Sequence, residues 1–129
     1  MKRLMIVFMT ALLLTGCGQT SGTNPDAAYV NITAEEAKRL MDTKQSYIIL
    51  DVREQEEYDA GHIPGAILIP YTQIDAQAEQ MLPHKNQLIL VYCRSGRRSK
   101  IAAEALVELG YTNIKEFGGI LDWPYEIVR

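Results

Sequence analysis

The chain has 129 residues, 47% of them hydrophobic and 22% charged, with a formal net charge of −3. That length holds one ordinary domain, and the composition excludes an intrinsically disordered chain. A mildly acidic balance leaves no basic footprint for nucleic acid, so a cluster of arginines in it points to a small anion instead.

The N-terminal stretch is expected to lie outside the fold. Lys2 and Arg3 precede an almost wholly apolar run from Leu4 to Leu14. The run is too short for a bilayer span of about 20 residues and is patterned as an export signal. Leu14-Thr15-Gly16-Cys17 resembles the lipobox of bacterial lipoproteins. That resemblance implies a signal peptide over residues 1–16, cleavage after Gly16 and lipidation of Cys17. It further implies a membrane partner, with the protein anchored by lipid on the extracytoplasmic side of the cell membrane; several acyl chains bind a bilayer durably where one does not. Residues 17–28 contain the Ser/Gly/Thr/Asn/Pro-rich segment Gln19 to Asp26 and read as a flexible tether. The chain has two cysteines. If Cys17 carries lipid, Cys93 has no disulfide partner, and a lone exported thiol argues for a reactive role over an inert buried one.

The domain is expected over 29–129. Tyr29 to Ile32 reads as a short strand, and Thr33 with Glu36 forms a capping box for a helix ending near Thr43, with Ala37, Leu40 and Met41 on its inner face. Tyr47 to Val52 is a continuous apolar run of the kind buried in parallel sheets. A helical turn over Arg53 to Tyr58, a loop from Gly61 to Gly65, and a strand over Ala66 to Ile69 stopped by Pro70 follow. A helix over Gln73 to Met81 leads to the strand Leu88 to Tyr92. The next helix begins near Arg98 with an apolar stripe of Ile101, Ala102, Ala105, Leu106 and Leu109, and Gly110 is placed to stop it. Asn113 to Phe117 gives the last strand, and Gly118 to Trp123 turns into a short terminal helix. Strands alternating with helices predict an α/β fold, a single domain with a central, mainly parallel sheet flanked by helices.

Ligands collect beyond the carboxyl ends of the strands in such sheets. There the chain carries Cys93-Arg94-Ser95-Gly96-Arg97-Arg98-Ser99. The helix that follows directs unsatisfied N–H groups and a partial positive charge back at the loop, and Gly96 lets the backbone curl into an anion-binding nest. Arg94, Arg97 and Arg98 add full charges. A cysteine so placed has a lowered pKa, which makes it a nucleophile.

Three segments resemble the rhodanese-like sulfurtransferase family: Asp51-Val52-Arg53-Glu54 with Glu57-Tyr58 and Gly61-His62-Ile63-Pro64-Gly65-Ala66; the loop Cys93 to Ser99; and Gly118-Gly119-Ile120 with Trp123. Together they cover roughly residues 30–126. The resemblance implies a persulfide relay with Cys93 as catalytic residue. Arg94, Ser95, Gly96, Arg97, Arg98 and Ser99 would bind a small anionic sulfur donor such as thiosulfate, and a thiol or cyanide would be the acceptor. Neither metal nor cofactor is implied, and a monomer is expected. The loop also resembles that of phosphatases sharing this architecture, but it is one residue shorter between cysteine and arginine and fits a single sulfur. A second alternative is a module that senses redox state or carries a persulfide for one protein partner without turnover. Arg98 is expected to pair with Asp51 or Glu57, and Arg53 with Glu57 at i,i+4 spacing. His62 is expected to bond backbone within its loop, His84 to lie exposed, and Trp123 and Tyr125 to serve packing.

Overall fold

The computed structural model describes residues 29–129. The expected signal at 1–16, the lipidation site Cys17 and the tether 17–28 lie outside the described residues. Five strands, β1 (Tyr29–Asn31), β2 (Ile48–Asp51), β3 (Ile67–Leu68), β4 (Ile89–Cys93) and β5 (Ile114–Gly119), form one sheet in the order β1-β5-β4-β2-β3. Every pairing is parallel. The helices are α1 (Ala34–Thr43), α2 (Gln55–Ala60), α3 (Ile74–Met81) and α4 (Arg97–Glu108), with single 3₁₀ turns at Tyr71–Gln73 and Ile120–Asp122.

Local chemistry accounts for the helix ends. Thr33 Oγ1 accepts from the Glu36 N–H at 3.1 Å while Glu36 Oε2 accepts from the Thr33 N–H at 2.8 Å, the expected capping box. At the end of α4, Gly110 takes φ 93°, its N–H bonds Val107 O, and the Tyr111 N–H bonds Leu106 O. These two bonds satisfy carbonyls that the helix leaves open.

The sheet is buried on both faces, so successive strand residues enter different layers. Leu50, Ile89, Val91, Cys93 and Ile114 pack beneath α3 and α4. Ile49, Leu90, Tyr92 and Phe117 pack on the other side with Ala37 of α1, Tyr58 of α2 and Trp123. β4, the central strand, is buried along its whole length. It ends at Cys93, so the sulfur enters the α4 layer.

Several sequence expectations shift. Ile101 is 41% exposed, whereas Ala103 is fully buried. The inner stripe of α4 is Ser99, Ala102, Ala103 and Leu106, rotated because polar Ser99 faces inward to the site and small Ala103 allows close approach. α2 begins at Gln55, not Arg53, since the Arg53 side chain and N–H turn back to Asp51. β5 runs on to Gly119.

Candidate active site

Cys93 is 1% exposed and lies where β4 meets the loop into α4. Gly96, at φ 111°, is the residue before α4. This left-handed conformation brings the Gly96 N–H to 3.0 Å from Cys93 Sγ. A side chain would be strained there by the backbone itself, since the nearest atom to a Cβ is Gly118 Cα at an ordinary 3.6 Å. Gly119 is glycine for a different reason. Its strand partner is Cys93, and a Cβ would stand 1.9 Å from Arg94 O. The Leu121 N–H bonds that same carbonyl at 3.2 Å, which ties the turn after β5 to the cysteine loop.

Burial pushes the Cys93 thiol up and is the largest single influence on it. The Ser99 hydroxyl and the main-chain N–H groups of Ser99, Gly96 and Ser95 act against burial and together hold the thiol below the ordinary cysteine range. Hydrogen bonds to the charged form have that effect, and the N-terminus of α4 adds its dipole. Of the loop residues named from sequence, Ser95, Gly96 and Ser99 therefore converge on the sulfur. Arg94 and Arg97 are exposed; Arg97 stands 6.0 Å from the Tyr71 ring centroid. Arg98 is turned aside into a two-pronged pair with Glu57, at 2.6 and 2.9 Å.

The expected Arg53–Glu57 pair does not form. Arg53 instead bonds Asp51 through Nε and Nη2, at 3.0–3.1 and 2.7 Å, and donates to Gly61 O at 2.7 Å. Asp51, fully buried, has the nearer claim on the guanidinium, and Arg98 reaches Glu57 from the opposite element. Asp51 also accepts from Tyr92 Oη at 2.7 Å, and Tyr92 Oη accepts from the Ile63 N–H at 3.1 Å. This network carries the loop Gly61 to Gly65 on the sheet. His62 bonds Tyr58 O through Nδ1 at 2.8 Å and stacks on the Tyr58 ring, as expected of a backbone-bonding histidine. His84 is exposed, and Trp123 packs against Phe117. Among the described residues no three His, Cys, Asp or Glu side chains gather as metal ligands.

Sequence reasoning missed Glu116, and it named Gly119 only within a motif, without its close approach to the cysteine loop. Glu116 is 2% exposed and bonds Ser99 Oγ at 2.6 Å. Its signal was a carboxylate inside a strand, two residues from buried Ile114 and hence on the cysteine's face. The signal for Gly119 was a glycine pair ending a strand, which marks close backbone approach.

A parallel α/β sheet with one buried cysteine in a loop at its carboxyl edge, its sulfur bonded by a main-chain N–H, defines a cysteine-loop α/β domain. The chain belongs to the rhodanese-like family: the Rhodanese-like domain model matches residues 33–125. It is 36% identical over 107 residues to the putative sulfur carrier protein YrkF of Bacillus subtilis, covering 82% of this chain and 56% of that one. It is 41% identical over 73 residues to the thiosulfate sulfurtransferase PspE of Escherichia coli, covering 57% and 70%. The solved rhodanese with anions from E. coli superposes with a TM-score of 0.62 at 37% identity, covering 65% of this chain and 99% of that one. Sulfur transfer in the general sense is what these relatives share, and the chain spans little more than half the length of the sulfur carrier.

Proposed function

We propose that this domain is a rhodanese-type sulfurtransferase that moves a sulfane sulfur from thiosulfate or a related donor to a thiol or cyanide through a persulfide on Cys93. The observation that carries the reading is the 3.0 Å bond from the Gly96 N–H to a buried Sγ, with the N–H groups of Ser95 and Ser99 also acting on that sulfur. In the first half-reaction the Cys93 thiolate attacks the outer sulfur of thiosulfate. The donor's S–S bond breaks, its electron pair leaves with sulfite, and Cys93–S–S⁻ forms. In the second, the acceptor thiolate or cyanide attacks that outer sulfur, and the pair returns to Sγ. The loop amides serve both halves, because negative charge stays on sulfur throughout; each bond to a charged sulfur is worth about 1.5–3 kcal/mol. The exposed guanidinium groups of Arg94 and Arg97 draw the donor anion to the mouth.

Intact mass after incubation with thiosulfate tests the reading. Wild type is expected to gain about 32 Da, one persulfide sulfur, and to release it to cyanide over many turnovers, while Cys93→Ser does neither. A Cys93→Ser protein with the wild-type rate would dismiss the nucleophile. The likeness to a putative sulfur carrier favours one second reading, a carrier for a protein thiol. That reading is distinguished by a single loading with no turnover on cyanide or small thiols.

A further inference from the structure

Glu116 is a buried carboxylate to which the sulfur-transfer scheme assigns no task. Among the described residues no lysine or arginine is paired with it. Its Oε1 instead accepts from Ser99 Oγ at 2.6 Å and from the Gly118 N–H at 2.8 Å. An O–H···O contact that short is of the charge-assisted kind. Ser99 Oγ in turn lies 3.4 Å from Cys93 Sγ.

Ser99 has one hydroxyl hydrogen to give. Glu116 Oε1 is its nearest acceptor; Gly96 O at 3.0 Å and Gly118 O at 3.3 Å are neutral and farther. That hydrogen is contested: a thiolate draws it to Sγ, which holds the thiol down, and the Glu116 carboxylate draws it away. The more firmly the carboxylate holds it, the less of that help reaches the sulfur, and a protonated Sγ–H then donates to Oγ instead.

We propose that Glu116 is a positioning residue that, by holding the single hydroxyl hydrogen of Ser99, sets the pH at which Cys93 ionises. The backbone amides draw the sulfur toward the thiolate; Glu116 opposes them twice, through its own negative charge and by withholding a donor. This opposition has a chemical use. Nucleophilicity falls as a thiol becomes more acidic, and attack on sulfur is fastest when the pKa sits near ambient pH. The titratable groups around this carboxylate are Cys93 from β4 and Tyr29 from β1, with Glu104 of α4 acting on the same Tyr29. Arg98, at the start of α4, acts on Cys93 while bonded to Glu57.

The test is the rate of Cys93 alkylation by iodoacetamide against pH, read on the Cys93 peptide by mass spectrometry. Glu116→Gln keeps the shape and removes the charge. Its midpoint is expected to move down by about one pH unit, giving roughly tenfold faster alkylation below the wild-type midpoint. In a Ser99→Ala background the same substitution is expected to move the midpoint by less than half as much, because the link is gone. An unchanged or raised midpoint in Glu116→Gln overturns the proposal, as does a shift more than half as large without Ser99. Should Glu116→Gln lack the wild-type circular dichroism spectrum, Glu116→Asp replaces it. Asp draws the carboxylate back from Ser99 and is expected to lower the midpoint by a smaller amount, and an unchanged or raised midpoint again overturns the assignment. The inference rests on Cys93 being the nucleophile of the proposed transfer, but alkylation reads the thiol without any sulfur donor, so failure of one is distinguishable from failure of the other.

Discussion

Tyr92 and Cys93 are consecutive residues of β4, yet they enter opposite layers and meet opposite kinds of polar surroundings. On the Tyr92 side, the Asp51 carboxylate is matched by the Arg53 guanidinium, and the remaining oxygens and donors are taken by Tyr92 and by backbone of the Gly61 to Gly65 loop. Burial first, then the Asp51 charge, pushes the Tyr92 phenol up, so it stays a neutral strut. On the Cys93 side, a sulfur and a carboxylate each take an amide donor of their own and flank one serine hydroxyl, and among the described residues neither is in a salt bridge. The first cluster is electrically closed and holds a loop in place. The second has no matched ion pair, and its one serine hydrogen can go to either acceptor, so its proton balance can shift.

Breaking the closed cluster is expected to give the largest effect on stability. Asp51→Asn leaves the Arg53 guanidinium, 4% exposed as a residue, without its anion. Removing one partner of a buried pair costs about 3–5 kcal/mol, read as a lower midpoint in chemical denaturation. Adding Arg53→Met to that variant is expected to recover at least half of the loss, because the cost lies in the stranded charge. A double variant no better than Asp51→Asn would show that the hydrogen bonds to the loop, not the charge pair, hold this side together.

The open cluster is expected to break differently. Gly96→Ala meets no crowding at its Cβ, but an L-residue at φ 111° costs about 1–2 kcal/mol. Relief of that strain swings the Gly96 N–H away from Sγ. Persulfide formation from thiosulfate is expected to slow by more than tenfold while the denaturation midpoint falls only modestly. Equal proportional losses in rate and stability would mean that Gly96 serves the fold and not the sulfur.

Legibility in the sequence followed how local each cause was. The capping box at Thr33 and Glu36, the stop at Gly110 and the buried run of β4 depend on neighbours within a few residues, and they stand where the pattern places them. The loop from Cys93 to Ser99 was legible because its geometry is written in one heptapeptide. Partners distant in the chain were not. Asp51 and Tyr92 are 41 positions apart and Ser99 and Glu116 are 17 apart. Choosing among Asp51, Glu57 and Glu116 as partners for Arg53, Arg98 and Ser99 requires the order of the strands, which spacing alone does not supply. Thus i,i+4 spacing suggested Arg53 with Glu57, while the sheet brings Arg98 across to Glu57 and leaves Arg53 to Asp51.

The pair joining the two clusters' surroundings, Arg98 with Glu57, is expected to be worth least, and it sharpens the contrast through pH. The Arg98 guanidinium holds the Glu57 carboxyl below the usual carboxylate range, while partial burial acts in the opposite direction. A carboxyl with a depressed folded pKa contributes its full stability above the unfolded value, about 4.3, and loses it as pH falls through the folded value. The pair is partly open to water, with side chains 16% and 29% exposed, so its contribution at neutral pH is expected to be no more than about 1 kcal/mol. Glu57→Gln should therefore denature slightly earlier than wild type near neutrality. As acid protonates wild-type Glu57, the two curves should converge once pH has fallen through its depressed folded value. A difference that persists unchanged into acid would assign Glu57 to packing beside the loop instead of to charge.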